Sequence, residues 1–505
     1  MKLLILLIFN LYVDVSLQSS GCIGGYLALR IYYLQPRFQD GTSPVCIYVP
    51  GTNKKGDLLP PPSGLIEEGI VFIKFLFPGG YDTLTGRHSD GIYDNRGMNC
   101  LKALKDIVLF SQGIKTDSLG RTIDEIVGYP IDHDNVGFFA SSNGGGISTI
   151  VTSIFKDSII YPVWMVGWEN PTNSQLICAD LVNKDRDSLR DGDNDGNPLN
   201  DYWNPRYIRY GDTILVVDYS QIKFDPNFPP TGCIFLDGNG NDTFDLIDLG
   251  GFLSPDLDSS GLLEIDEDFL LIAFPDTGGK WVYSYPVTLA AAQYNIFGGS
   301  WPPWIADTQE ARIFWSIREA VLHYDNALKM KAVILVFSKW DHVQPHDDKP
   351  HIHQAFNGFF RNGIWVRLNP DSVYSSYVFP FASFYPDNPA NWAPSDWNTI
   401  ENYAYPEDED ADRGFQIAGI LEMVDRVYYD IWIPDLDEML VINERTDNFQ
   451  TKKKIRVFNF QIDKFNVKNL KFFDICGRRL NRIQKGVFFA KVNGKFRKFV
   501  FILFK

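Results

Sequence analysis

The chain has 505 residues, of which 45% are apolar, 22% charged and 15% aromatic. That length exceeds a single ordinary core, so several domains are expected, and aromatic residues spread along the whole chain exclude long disordered stretches. The net charge of −16 is unevenly divided: residues 451–505 hold 16 Lys and Arg against two acids, leaving about −30 on the remainder. This asymmetry marks a separate terminal module. Its lysines alternate with Val, Phe and Ile as strands with a solvated basic face require, so no nucleic-acid partner is expected.

The chain opens with Lys2, an apolar stretch of about a dozen residues, and then Ser19, Ser20 and Gly21. One charge, a short apolar run and small residues form a secretory leader, with cleavage expected near residues 19–21. The run is too short for a comfortable membrane span, and no later run approaches twenty residues. No integral membrane span is expected in the mature protein, which would be secreted or held at the cell surface. Six cysteines lie far apart without zinc spacing. Export permits disulfides, Cys178 with Cys233 for instance, and buried thiols are the alternative.

From Pro44 onward, strand-like and helix-like blocks alternate. Residues 45–49 and 70–77 read as strands ending in Pro-Gly turns, 97–113 as a helix, and 136–140 as a buried strand. A helix over 145–155 and a strand over 163–168 follow. After Pro171 the pattern breaks into Asp, Asn, Gly and Pro for about a hundred residues. It resumes with a helix over 308–328, a strand over 332–337, a helix over 350–360 and a strand over 364–368. A shorter helix around 417–427 is expected to pack back on the sheet. The fold class is therefore α/β, a mostly parallel sheet with helices on both faces. The expected organisation is a leader (1–20), a first α/β part (21–172), an insertion (173–285), a second α/β part (286–435), a linker (436–450) and a small all-β module (451–505).

Residues 136–145, Val-Gly-Phe-Phe-Ala-Ser-Ser-Asn-Gly-Gly, read as strand, tight turn and helix. This resembles the nucleophile elbow of the α/β-hydrolase family, G-x-S-x-G, with Ala140 in place of the first glycine. The turn admits only small residues two before and two after the nucleophile. Ala140 and Gly144 satisfy that for Ser142, whereas Phe139 would crowd the same place for Ser141. The resemblance implies Ser142 as nucleophile. It also implies oxyanion donors from the backbone N–H groups of Asn143 and of Thr52 in the turn after the 45–49 strand. Asp341 follows the apolar strand 333–337, where the family carries its acid. The family's histidine lies in the loop after the next strand, but here no histidine follows His353. His342, His346, His351 and His353 crowd into the segment after Asp341 instead. A helix starting at Pro350 would bring His351 to the sheet edge, and His342 is the second candidate for the base. Pro345 and Pro350 interrupt any shared helical face that could hold a transition metal.

The insertion holds three acidic loops. Residues 256–267 resemble the twelve-residue EF-hand loop, with Asp256, Asp258 and Ser260 at positions 1, 3 and 5, and Gly261 at the bend. The Leu262 carbonyl, Glu264 and a bidentate Glu267 stand at 7, 9 and 12. A second loop offers Asp237, Asn239, Asn241, Thr243, Asp245 and Asp248, without glycine at position 6. A third begins with Asp191, Asp193 and Asp195 but has Tyr202 at position 12, with Asp201 the substitute. The cofactor implied is calcium. Only seven residues separate the two better loops, too few for a regular EF-hand pair, so the ions are expected to be structural.

Residues 470–480 and 486–492, with Gly477-Arg478 at a turn and Gly486-Val487-Phe488-Phe489 opening a strand, resemble the type IX secretion sorting domain. That resemblance implies a secretion machinery as partner. Taken together, the resemblances imply a secreted serine hydrolase acting on an acyl-type substrate, an ester or peptide bond, and stabilised by calcium. The alternative is a non-catalytic exported surface or adhesion protein on the same fold.

Overall fold

The computed structural model describes residues 12–51, 54–62, 64–172, 207–210, 213–216, 219–228, 232–237, 240, 242, 269–270, 273–339, 341, 349–378, 400, 403–405, 409–436, 440, 472–473, 479–480, 486–492 and 495–501. The chain divides into two compact units, 1–441 and 442–505.

The first unit is organised on an eight-stranded sheet. Its strands are β1 (Tyr12–Gln18), β2 (Tyr26–Tyr32), β3 (Ser43–Val49), β4 (Val71–Phe75), β5 (Ile131–Ser141), β6 (Val163–Trp168), β7 (Met330–Val336) and β8 (Trp365–Leu368). They lie in the order β1-β2-β4-β3-β5-β6-β7-β8. Only β2 runs against its neighbours; every pair from β4 to β8 is parallel. This is the α/β-hydrolase strand order.

Alternating side chains explain why both faces are covered. Val136, Phe138 and Ala140 of β5 and Val333 and Leu335 of β7 join one core. That core includes α1 (Met98–Ser111), α2 (Ile123–Val127), α3 (Gly144–Ile154) and α6 (Pro350–Phe360). Phe139, Ile334 and Val336 point the other way, into a core with Tyr374 of α7 (Ser372–Val378) and the apolar face of α8 (Glu409–Tyr429). Strands buried on both faces read as continuous apolar runs, which is how the sequence reads here. The expected helix at 417–427 is the middle of α8, and it does pack on the sheet. Its charged residues are paired inside: Asp425 with Arg37, and Glu422 with Arg426, both at 2.7 Å.

The structure differs from the sequence reading at three places. Tyr12–Gln18, assigned by sequence to a leader, is the edge strand β1. Its Val15 and Leu17 are buried, while Ser19 and Ser20 bind Asp106 of α1. Cleavage at 19–21 would strip that strand from the sheet. The helix over 308–328 is instead α5 (Thr308–Ser316) followed by short 3-10 turns at Ala320–Leu322 and Tyr324–Asn326. The insertion also outruns residue 285. Val287, Ala290 and Ala291 of α4 (Tyr285–Gln293) pack on Ile222, Ile234 and Leu236 of a small antiparallel sheet formed by 222–225, 233–236 and 269–270.

In the second unit the backbone forms a four-stranded antiparallel sheet, with Arg479–Leu480, Phe472–Phe473, Gly486–Val492 and Lys495–Phe501 side by side in that order.

Candidate active site

Ser142 stands in the turn between β5 and α3, and its φ is +47°. A left-handed conformation costs energy for any residue with a side chain and persists only where contacts enforce it. The enforcing contacts are visible. The Ser142 N–H donates to the Trp168 carbonyl at 2.8 Å, and Gly145 N–H donates back to the Ser142 carbonyl at 2.9 Å. Gly144 lies against β3, where a Cβ would overlap the Val49 carbonyl oxygen. The small-residue requirement that selected Ser142 over Ser141 is thus a requirement of the β3 contact. Ser141 itself stays in the strand, paired with Trp168.

Asn143 caps α3 and is nearly buried. Its backbone N–H belongs to the helix's first turn, whose donors have no intrahelical partner. On the other side of the serine stands Gly51, at the end of β3. A Cβ there would lie 2.7 Å from Ser142 Cβ, so only glycine lets the loop approach. Thr52, the second expected donor, lies outside the described residues.

Asp341 follows β7, and His351 stands in the first turn of α6. His351 Nε2 lies 2.8 Å from Asp341 Oδ2, and both side chains are wholly shielded from solvent. Of the candidate bases, the structure therefore joins His351 to the acid; His342 lies outside the described residues. Lys349 is buried beside them and its Nζ donates to the Lys339 carbonyl at 2.7 Å. That bond ties together the two ends of the segment between Lys339 and the helix. The C-terminal edge of a parallel sheet collects these groups because each βα loop begins there.

Two buried polar residues at this edge carry no motif in the sequence. Asn170 Nδ2 donates to three carbonyls, of Ala140 (2.8 Å), Ser142 (2.7 Å) and Trp168 (3.1 Å). Glu169 has φ +46° and accepts from the Ser338 hydroxyl at 2.7 Å and the Ser338 N–H at 3.2 Å. The only prior hint was their place, directly after a buried strand.

Of the acidic loops, only parts of the second are described. Asp237 is buried and accepts from Gly240 N–H (2.8 Å) and Asp242 N–H (3.0 Å), closing a tight turn after the 233–236 strand. Lys223 pairs with Asp242 at 2.5 Å. The ligand set Asp256, Asp258, Ser260, Leu262, Glu264 and Glu267 lies outside the described residues, as do Asn239, Asn241, Thr243, Asp245, Asp248, Asp191, Asp193 and Asp195. Among the described residues, no three His, Cys, Asp or Glu side chains gather as a metal site. Cys22, Cys46 and Cys100 are buried thiols, and Cys178 is outside the described residues. No described helix is long and apolar enough to cross a membrane.

No protein-family model and no curated protein matches the sequence. Solved structures do resemble it in part. The alpha/beta hydrolase GrgF from Penicillium sp. sh18 is 11% identical, with a TM-score of 0.29 over 69% of this chain and 85% of that one. An esterase from Pyrobaculum calidifontis is 12% identical, with a TM-score of 0.22 over 32% of this chain and 45% of that one. A hypothetical protein from Pseudomonas aeruginosa is 16% identical, with a TM-score of 0.24 over 34% of this chain; the match spans 47%, about half, of its own length. The fold assignment stands on the strand order and crossovers of the sheet itself.

Proposed function

We propose that this chain is a serine hydrolase that cleaves an acyl bond, an ester or a peptide, with Ser142 as nucleophile, His351 as base and Asp341 as the group that orients the base. The observation that carries this reading is the strained, tightly braced Ser142 on the same sheet edge as a buried Asp341–His351 pair. An energetically costly serine conformation and a solvent-free carboxylate–imidazole pair each need a reason, and acyl transfer supplies one for both.

In this mechanism Asp341 accepts a hydrogen bond from the Nε2–H of His351, which leaves the Nδ1 lone pair to take the Ser142 hydroxyl proton. Ser142 Oγ then attacks the acyl carbon, and the oxyanion is met by the N–H groups of Asn143 and of the loop after β3. The imidazolium returns its proton to the leaving group. Water, activated by the same base, attacks the acyl-enzyme and frees Ser142.

Calcium binding in the insertion and export through a type IX machinery read by residues 451–505 belong to the same proposal, on the strength of the sequence resemblances. A cell lacking residues 451–505 of this chain should retain the protein inside the outer membrane; release unchanged by that deletion excludes the sorting role. For the chemistry, a fluorophosphonate probe applied to calcium-loaded protein should label wild type, and Ser142→Ala should abolish labelling. Unlabelled wild type, or equal labelling of the variant, removes the hydrolase reading and leaves a non-catalytic surface protein on the same fold.

A further inference from the structure

The turn of residues 94–96 stands between the insertion and the loop that follows β3, and it is bonded to both. Asn95 and Arg96 have φ of +51° and +67°, so this turn too is held by its contacts rather than by its own preference. On one side, Arg96 Nη2 lies 2.6 Å from the Pro50 carbonyl oxygen, 3.2 Å from that of Lys54 and 3.3 Å from that of Gly51. The Arg96 guanidinium also stacks 4.5 Å from the centre of the Phe77 ring, and the residue is buried. On the other side, Arg318 donates through Nε to the Asn95 carbonyl at 2.8 Å and through Nη2 to the Asp94 carbonyl at 2.5 Å. Its Nη1 reaches the Phe314 carbonyl of α5 at 2.5 Å. Asn95 Nδ2 donates to the Pro275 carbonyl, again at 2.5 Å. Burial lowers the Arg318 pKa to about 10, against the pull of the neighbouring Asp94, so the group keeps its charge at neutral pH.

The direction of these bonds matters. In a trans peptide, a carbonyl and the N–H that follows it point to opposite sides. Because the Pro50 carbonyl meets this buried cation, the Gly51 N–H on the other side of that peptide is turned away from it. Gly51 of this loop packs against Ser142. We propose that Arg96 is a positioning residue: it presets the Gly51 N–H, beside Ser142, as an oxyanion donor, and the 94–96 turn makes the Pro50–Gly51 peptide depend on the order of the insertion. The catalytic half of this statement rests on the hydrolase reading of Ser142, while the structural half does not.

The test uses the full chain with Arg96→Met, which keeps the contact with Phe77 and loses the donors, and with Arg96→Lys, which keeps one charged donor. Amide hydrogen exchange of residues 51–54 should quicken about tenfold or more in Arg96→Met, with β5 and β6 unchanged. Cleavage of a nitrophenyl ester should lose about a hundredfold in kcat, with KM little altered, and Arg96→Lys should lie between. Arg318→Met should quicken exchange in both 94–96 and 51–54. Unchanged exchange at 51–54 in Arg96→Met overturns the proposal. Quickened exchange with unchanged kcat overturns its catalytic half. Quickened exchange in a protein whose Ser142 takes no fluorophosphonate leaves the positioning role standing and removes the hydrolase reading instead. If Arg96→Met does not fold, Arg96→Lys carries the same two readouts.

Discussion

His351 Nε2 meets Asp341 Oδ2 at 2.8 Å in a place that solvent does not reach. A second carboxylate, Glu169, is buried at the same sheet edge, but its oxygen is taken up by Ser338. In the proposed mechanism this pairing gives the orienting role to Asp341. Replacing Asp341 by Asn keeps the shape and removes the charge that fixes the imidazole tautomer, so esterase activity should fall by about a thousandfold or more. Glu169→Gln keeps an acceptor for Ser338 and should cost about tenfold at most. Rates of ester cleavage by the two variants, side by side, check the assignment; a larger loss in Glu169→Gln would transfer the role.

Asn170 has two N–H bonds and three carbonyls within reach, those of Ala140, Ser142 and Trp168. It thus spans the elbow, bonding the strand before the serine, the serine itself and the neighbouring strand. Asn170→Ala leaves those buried carbonyls short of a donor, which should cost about 1–3 kcal/mol. Asn170→Asp sets negative charge against carbonyl oxygens and should cost more. Urea midpoints give the stability. If the elbow relaxes as well, fluorophosphonate labelling of the folded fraction should slow in both variants, and more in Asn170→Asp.

These sites show what a sequence can and cannot carry. The places of Ser142, Gly144 and Asp341 in the fold were legible because they follow from local order: a strand, a sharp turn, a helix, and a strand ending in an acid. Asn170 and Arg96 were not, because each acts on segments distant in sequence, and nothing local distinguishes an asparagine that bonds three carbonyls from one in a loop. The same reasoning explains the broken helix after Ser316. There Arg318 turns back to the 94–96 turn, and such contacts override helical periodicity. β1 is a different case. Its alternation of Asp14, Ser16 and Gln18 with Val13, Val15 and Leu17 is that of a strand, while the apolar residues before it read as a leader.

Asp106 gives a pH dependence whose sign can be worked out. Burial raises its pKa, but the Ser20 N–H and the charges of Lys115 and Lys105 more than offset this and hold it below the ordinary aspartate range. A depressed folded-state pKa adds stability above the unfolded value, about 3.9, and that stability is lost as pH falls through the folded value. Its partners are Ser19 and Ser20, so the connection between β1 and β2 should loosen first in acid. Asp106→Asn should be less stable than wild type at pH 7 and should lose less on going from pH 5 to pH 3. Thermal midpoints across that range decide it; parallel curves for the two proteins would exclude Asp106 as a source of the dependence.

Calcium removal tests the insertion. Asp237 bends its loop by accepting two backbone N–H groups, and the rest of the insertion's acids crowd nearby in sequence without equal basic charge. Carboxylates in that density repel one another until a cation binds, so binding should be coupled to ordering. An ion that binds only the folded state adds about 2.7 kcal/mol at a hundredfold excess over Kd. Calcium should therefore raise the thermal midpoint by several degrees, a chelator should reverse it, and magnesium should do less because it demands stricter octahedral geometry. Glu267→Gln removes the bidentate oxygen and should abolish most of the increment, whereas Asp191→Asn should leave it largely intact. The 94–96 turn gives the ion a second consequence: chelation should quicken amide exchange at residues 51–54 in wild type, and this effect should shrink in Arg318→Met, where only the Asn95–Pro275 bond still joins the turn to the insertion.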